Sequence, residues 1–166
     1  MFENLDNPRE LFSYKLGSAL EMEQTVLKTL DHEQDEAQDA QVKQLLSHHA
    51  DETRGQIRNI EQAFDAIGEK ADDKPCLPAE ALDKEAKMEV RKVEDRFVDT
   101  VILSAAMETE HHEIAVYESL IMQAEALGQP AVATLLRQNL EQEQHTLDEV
   151  KQAAQTLVPR AMTAAA

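Results

Sequence analysis

The stretch Leu103-Ser104-Ala105-Ala106-Met107-Glu108-Thr109-Glu110-His111-His112-Glu113-Ile114-Ala115-Val116-Tyr117-Glu118-Ser119-Leu120 decides how this chain folds. Leu103, Ala106, Tyr117, Leu120, Ala124 and Leu127 fall on one line three or four positions apart, the spacing of one helical face. Glu110 and Glu113 lie on that same line. An ionised carboxylate in a helical core is costly unless something cationic compensates it. Two of them on one apolar seam therefore raise the question of a metal.

Working outward, three more segments repeat the pattern. Asn7-Pro8-Arg9-Glu10 opens a helix with a capping side chain, a proline at the first helical position and a Glu able to close a capping box. That helix is expected over 8–32, with the seam Leu16, Leu20, Glu23, Leu27, Leu30. A second, over 39–67, is capped by Asp39 and stopped by Gly68, and its stripe reads Val42, Leu45, His49, Glu52, Gln56, Ala63, Ile67. Leu46, Thr53, Ile57, Ile60 and Phe64 flank that stripe. The quoted segment belongs to a third helix over 90–127. Gly128-Gln129-Pro130 punctuates the start of a fourth, over 130–157, with the seam Val132, Leu136, Asn139, Glu143, Thr146, Val150.

Between the second and third helices, residues 68–89 break the pattern with Pro75-Cys76-Leu77-Pro78, and a short helix over 79–88 fits there. One long connection between two helical hairpins is what a ferritin-like bundle requires. The expected fold is therefore all-α: a ferritin-like four-helix bundle over 8–157, two antiparallel hairpins joined by a long crossover, with a disordered tail over 158–166. A weak internal repeat supports a pseudo-twofold arrangement, since Leu16, Ala19, Glu21 and Glu23 align with Leu103, Ala106, Glu108 and Glu110.

The whole-chain numbers agree. A chain of 166 residues is one domain with room for a real core. Four Gly, two Tyr and no Trp suit helices better than sheets. A net charge of −17 argues against nucleic acid and anionic membranes as partners. Cys76 is the single cysteine, which excludes an internal disulfide, and its place between two prolines reads as a linker bystander. Residues 1–7 lack the pattern of a signal peptide, and no apolar run is long enough to span a membrane, so a cytoplasmic location is expected.

Six metal-binding side chains thus occupy the four seams: Glu23, His49, Glu52, Glu110, Glu113 and Glu143. Carboxylate-bridged metal pairs in helical bundles draw one Glu from each of two helices and a Glu/His pair three apart from each of the others. His49-Ala50-Asp51-Glu52 and Glu110-His111-His112-Glu113 have that spacing, while Glu23 and Glu143 are the single carboxylates. The expectation is two ions per chain about 3.5–4 Å apart, with Glu52 as a bridge. An oxygen-rich donor set suits iron first, with manganese or zinc as alternatives. His precedes Glu in the second helix, and Thr146 stands where the fourth helix would carry a second imidazole, so Glu113 substitutes for it. Gln56 and Tyr117, one turn beyond Glu52 and Glu113, are expected to hydrogen-bond the ligands. No catalytic group beyond the ligands and no organic cofactor site is read. His32, His48, His111, His112 and His145 lie off the seams.

The segment Leu45–Phe64, with His49-x-x-Glu52-Thr53 and Gly55-Gln56, resembles the second helix of the YciE/YciF family of bacterial ferritin-like stress proteins. Glu110 to Tyr117 is similar to that family's third-helix signature, the residues after Cys76 to its crossover, and Glu143 to its fourth-helix carboxylate. The resemblance covers residues 8–157 and implies a ferritin-like bundle, a homodimer, a di-iron centre and a stress-linked role. Gln142 departs from it, standing where a further acidic residue is expected.

Two functions follow. One is a cytoplasmic dimetal protein that oxidises Fe(II) with oxygen or peroxide, as a ferroxidase or peroxidase. The other is a non-enzymatic stress-protection or interaction protein whose seam carboxylates are vestigial or hold a structural ion.

Overall fold

The computed structural model describes residues 4–163. Among them are five helices and no strand: α1 (Pro8–Glu36), α2 (Ala40–Ala66), α3 (Leu77–Val90), α4 (Asp95–Ala126) and α5 (Pro130–Thr163). The chain is all-helical, and the short helix expected in the crossover is α3.

The caps do what their residue types suggest. Asn7 Oδ1 accepts from the backbone N–H groups of Arg9 and Glu10, both at 3.0 Å, and Pro8 takes the first helical position. Glu10 reaches back to the Asp6 N–H at 2.9 Å, one residue earlier than a standard capping box. Asp39 Oδ1 caps α2 by accepting from Gln41 N at 2.7 Å. Asp99 of α4 then grips the α1–α2 turn, its two oxygens accepting from Gln38 N at 2.8 Å and Asp39 N at 2.9 Å. Gly68 and Gly128 end α2 and α4 with positive φ of 75° and 68°, each inside the paired backbone bonds of a Schellman turn.

The interior holds two apolar clusters. One gathers Phe12, Leu16 and Leu20 of α1, Ile60 and Phe64 of α2, Leu120 of α4 and Leu136 of α5. The other gathers Val26 and Leu30 of α1, Val42 and Leu46 of α2, Ile102 and Leu103 of α4 and Val150 of α5. Chain direction follows from this: α1 and α5 run from the first cluster to the second, and α2 and α4 run back. Burying each large apolar side chain contributes about 1.5–3 kcal/mol, so these clusters carry most of the stability.

α3 returns the chain from the end of α2 to the start of α4. It is tied to α1 by Thr29 Oγ1 donating to Asp83 Oδ1 at 2.6 Å, with Lys87 Nζ 2.6 Å from the same carboxylate oxygen. Glu33 lies buried beside this junction. The loop before α3 crosses α1 at Gly17, where Lys74 N donates to Gly17 O at 3.1 Å.

Three boundaries differ from the sequence reading. The helix expected from 90 begins at Asp95, because Val90 packs as the end of α3 and residues 91–94 turn the chain into α4. α1 extends to Glu36 because Glu33, read as the start of a polar turn, is buried under α3. α5 continues through Pro159 to Thr163 instead of yielding to a disordered tail at 158. Leu157 and Val158 pack against the second cluster, which holds the helix up to the proline, and Thr163 Oγ1 donates to Pro159 O at 2.6 Å in the last turn. Residues 164–166 of that expected tail lie outside the described residues.

Alanine has the higher helix propensity, so Gly17→Ala would ordinarily stabilise a mid-helix site. Here a Cβ would run into the Asp72 carbonyl oxygen. The variant is expected to lose about 1–3 kcal/mol in urea denaturation, the usual cost of overpacking; a gain would show that the loop does not press on α1.

Candidate metal centre

Between the two apolar clusters lies a layer made almost wholly of polar groups. Glu23 from α1, His49, Thr53 and Gln56 from α2, Glu110 and Glu113 from α4, and Asn139, Glu143 and Thr146 from α5 are all buried there. Each helix contributes through its own seam, so the layer spans the interior.

At its heart, one donor atom each from His49, Glu110, Glu113 and Glu143 lie within 4.8 Å of one another, a group that can hold a metal ion. His49 Nε2 is 3.3 Å from Glu110 Oε1 and 3.8 Å from Glu143 Oε2. These contacts are not ion pairs at neutral pH, because burial and then His48 lower the His49 pKa to about 4 and leave a free imidazole lone pair. Burial raises Glu23, Glu110 and Glu113 well above the carboxylate range, and the charge of Glu143 is the next cause in all three. Glu143 itself is raised to about 8, chiefly by burial. Four carboxyl groups crowded in a dry layer cannot all ionise without a cation.

The other two expected ligands sit differently. Glu23 is fully buried but outside the four-residue group; Tyr117 donates a short hydrogen bond to its Oε1. Burial, then the charge of Glu23, raises the Tyr117 pKa, so the ring stays a phenol donor. Glu52, the expected bridge, is turned to the rim. Its Oε2 accepts from Thr146 Oγ1 at 3.2 Å, His48 Nε2 lies 3.7 Å from Oε1, and its side chain is 15% exposed. The reason is the true line of burial on α2, which runs Val42, Leu46, His49, Thr53, Gln56, Ile60, Ala63 and passes beside Glu52. Glu52 instead lines a solvent-open cleft of about 470 Å³ with Asn59, Glu141, Gln142 and His145.

The expected hydrogen-bonding role of Tyr117 is directed at Glu23, while the Gln56 side chain makes no hydrogen bond among the described residues. Asn139, on the α5 seam but given no role by sequence, is the hub: its Nδ2 donates to Tyr117 Oη at 3.0 Å and to Gln56 O at 3.2 Å, and its Oδ1 accepts from Asn59 at 2.7 Å. An Asn on a seam otherwise filled by Leu and Val was the available signal. Cys76, read as a bystander, is buried at the start of α3 with Sγ 3.7 Å from His112 Nε2. His111 and His145 face away from the layer, His145 towards Glu149 at 3.6 Å.

Residues 7–163 match a domain family of unknown function, DUF892. The chain is also 30% identical over 145 residues to protein YciF of Escherichia coli strain K12, covering 86% of this chain and 87% of that one. The chain belongs to this YciF-type DUF892 family. Among solved structures, the E. coli stress protein YciF superposes with a TM-score of 0.87 at 28% identity, over 93% of this chain and 99% of that one. YcfI from Rhodopseudomonas palustris gives 0.88 at 28% identity, over 91% and 97%. A protein from Xanthomonas campestris shares the fold at a TM-score of 0.77 and 18% identity. These proteins share the helical arrangement of this chain.

The titration of the layer has a definite sign. In metal-free protein the raised carboxyl groups contribute stability that is complete below their unfolded pKa near 4.5 and is lost as pH rises through the folded value, about 8 for Glu143 and also for Glu33. His49 works oppositely, adding stability as pH rises from about 4 to 6.5. Above 6.5 only the carboxyl effect remains, so chelator-treated protein is expected to melt lower at pH 8 than at pH 6.5 in calorimetry. A higher melting point at pH 8 would mean that these groups are ionised already.

Proposed function

We propose that this chain is a ferritin-like four-helix bundle, with α3 as its crossover helix, that holds two divalent metal ions in the polar layer. Iron is the first choice and manganese the second, because the donors are mainly hard oxygen atoms with one imidazole. The observation that carries the reading is the set of buried atoms poorly satisfied among the described residues: Oε2 of Glu23, both side-chain nitrogens of His49, and the oxygens of Glu110, Glu113 and Glu143, whose one mutual contact is between the Glu110 and Glu143 carboxyl groups. An unsatisfied buried polar group costs about 1–3 kcal/mol. Five such residues cost together about as much as the ~5–15 kcal/mol by which a domain is stable. Cations ligated by these same atoms turn that cost into binding energy.

Each residue has a definite part. His49 is neutral and offers a lone pair, Glu110 and Glu143 flank it, and Glu113 completes the group. Glu143 is the charge most strongly felt by Glu23, Glu110 and Glu113, which suits it to be shared between two cations. Tyr117 orients Glu23 by holding one of its oxygens and leaving the other free. Glu52, half out of the layer beside the cleft, is placed to collect cations at the rim. Bound iron supplies one-electron redox chemistry with oxygen or peroxide. The apolar clusters on both sides keep bulk water from the layer.

The reading extends to a cytoplasmic, homodimeric, stress-linked protein. The stress role is supported by the relative described as a stress protein, and the dimer by the family resemblance alone. Among the described residues no helix is long and apolar enough to cross a membrane.

The test is metal analysis after purification without chelators, followed by Fe(II) oxidation with oxygen or peroxide. Wild type should carry metal and oxidise Fe(II) faster than buffer, and His49→Gln should slow this at least about tenfold with unchanged helicity. Bound metal with no rate above buffer would favour a structural ion. No metal at all would leave an interaction protein with a vestigial layer.

A further inference from the structure

Gln56 is a buried side chain without an assignment. It is fully inaccessible, and neither its amide oxygen nor its amide nitrogen has a hydrogen-bond partner among the described residues. An unpaired primary amide is an expensive thing to keep in a core, and the position, on the inward line of α2 between Thr53 and Ile60, would accept an apolar residue. A hydrogen-bonding support for a ligand would show a bond to that ligand, and Gln56 shows none.

Its backbone is fixed to the Glu23 side of the layer. The Asn139 side-chain N–H donates to the backbone carbonyl of Gln56 and to the Tyr117 hydroxyl, and that hydroxyl donates to Glu23. Gln56 is thereby tied to the Glu23 side of the layer, two helical turns along α2 from His49. The loose sequence echo between α2 and α5 sets Glu52 beside Glu143, but the residue spacing carried over from α1 and α4 sets Gln56 there. Glu23 and Glu110 occupy equivalent positions in the repeat, and Gln56 follows Glu23 by the same number of residues as Glu143 follows Glu110. The pseudo-twofold partner of the most central carboxylate is this amide.

We propose that Gln56 is a metal ligand: its amide oxygen, with Glu23, completes a second cation position across the layer from His49. This rests on the metal reading above and adds to it the residue that makes the centre a pair. Charge explains why an amide stands where the repeat would put a carboxylate. Glu23, Glu110, Glu113 and Glu143 carry four negative charges when ionised, and two divalent cations neutralise them. A fifth buried carboxylate would leave the layer net negative in a dry environment, whereas an amide oxygen donates without charge. Glu52 acts on Glu110 and Glu143 from the rim, where its side chain is 15% exposed and partly screened by solvent.

The test uses chelator-treated protein titrated with Co(II), followed by visible absorption and by calorimetry. Wild type should bind two ions. Gln56→Leu should bind the first with unchanged affinity and the second at least about tenfold more weakly. Gln56→Glu, which restores an oxygen donor, should bind two again. In metal-free form Gln56→Leu should melt no lower than wild type, because it removes an unpaired polar group, so weaker binding would not reflect unfolding. If Gln56→Leu fails to fold, Gln56→Met, near in length and without the oxygen, reads the same way. Two ions bound by Gln56→Leu with wild-type affinity would overturn the assignment while leaving the metal centre intact. A single ion in wild type would overturn the second position. No ion in wild type would overturn the metal reading itself.

Discussion

A polar layer has to be accommodated between two apolar clusters, and the rest of this structure answers to that constraint. The clusters supply the burial that holds α1, α2, α4 and α5 together, and the layer subtracts from it. Four carboxyl groups and an imidazole buried in one layer are each destabilising alone and more so together, since burial and mutual charge both push the carboxyl groups towards their protonated forms. The fold tolerates them because strong apolar packing lies directly on either side. Placing the layer midway along the helices also fixes its donors on four rigid elements, which is how a site keeps its geometry.

The fixed geometry comes from interactions away from the layer. Asp99 clamps the α1–α2 turn, Asp83 joins α3 to α1, and Asn139 links Tyr117 with the backbone of α2. Through Tyr117 the last of these reaches Glu23, so the orientation of one candidate ligand is set by residues on three other helices. Gln56 belongs to this view. In the proposed centre, an amide and four carboxyl groups make a donor set whose charge two divalent cations would cancel.

Much of this was legible in the sequence, and the misses share a cause. On α4 the line Leu103, Ala106, Glu110, Glu113, Tyr117, Leu120, Ala124 is buried as read, and on α5 so is Val132, Leu136, Asn139, Glu143, Thr146, Val150. On α2 the line was drawn through Leu45 and Glu52, while the buried one passes through Leu46 and Thr53. Both lines have helical spacing and share His49 and Gln56. Periodicity alone cannot choose between adjacent ridges when a threonine competes with a glutamate, and the packing of α5 against α2 decides it. Glu33 and Cys76 were read as polar turn and linker because what buries them is α3, a contact distant in sequence. The repeat is legible at Glu23 and Glu110, while Gln56, at the spacing of Glu143, carries no charge to mark it.

The central claim is that the polar layer is a two-cation centre, and anomalous diffraction tests it most directly. Crystals of the protein grown with Mn(II) and measured at the manganese absorption edge should show two peaks per chain in the layer. One should stand beside His49, Glu110 and Glu143, and the other beside Glu23 and Gln56. Manganese peaks only on the acidic surface, with the layer's carboxyl groups bonded to one another or to water, would contradict the account.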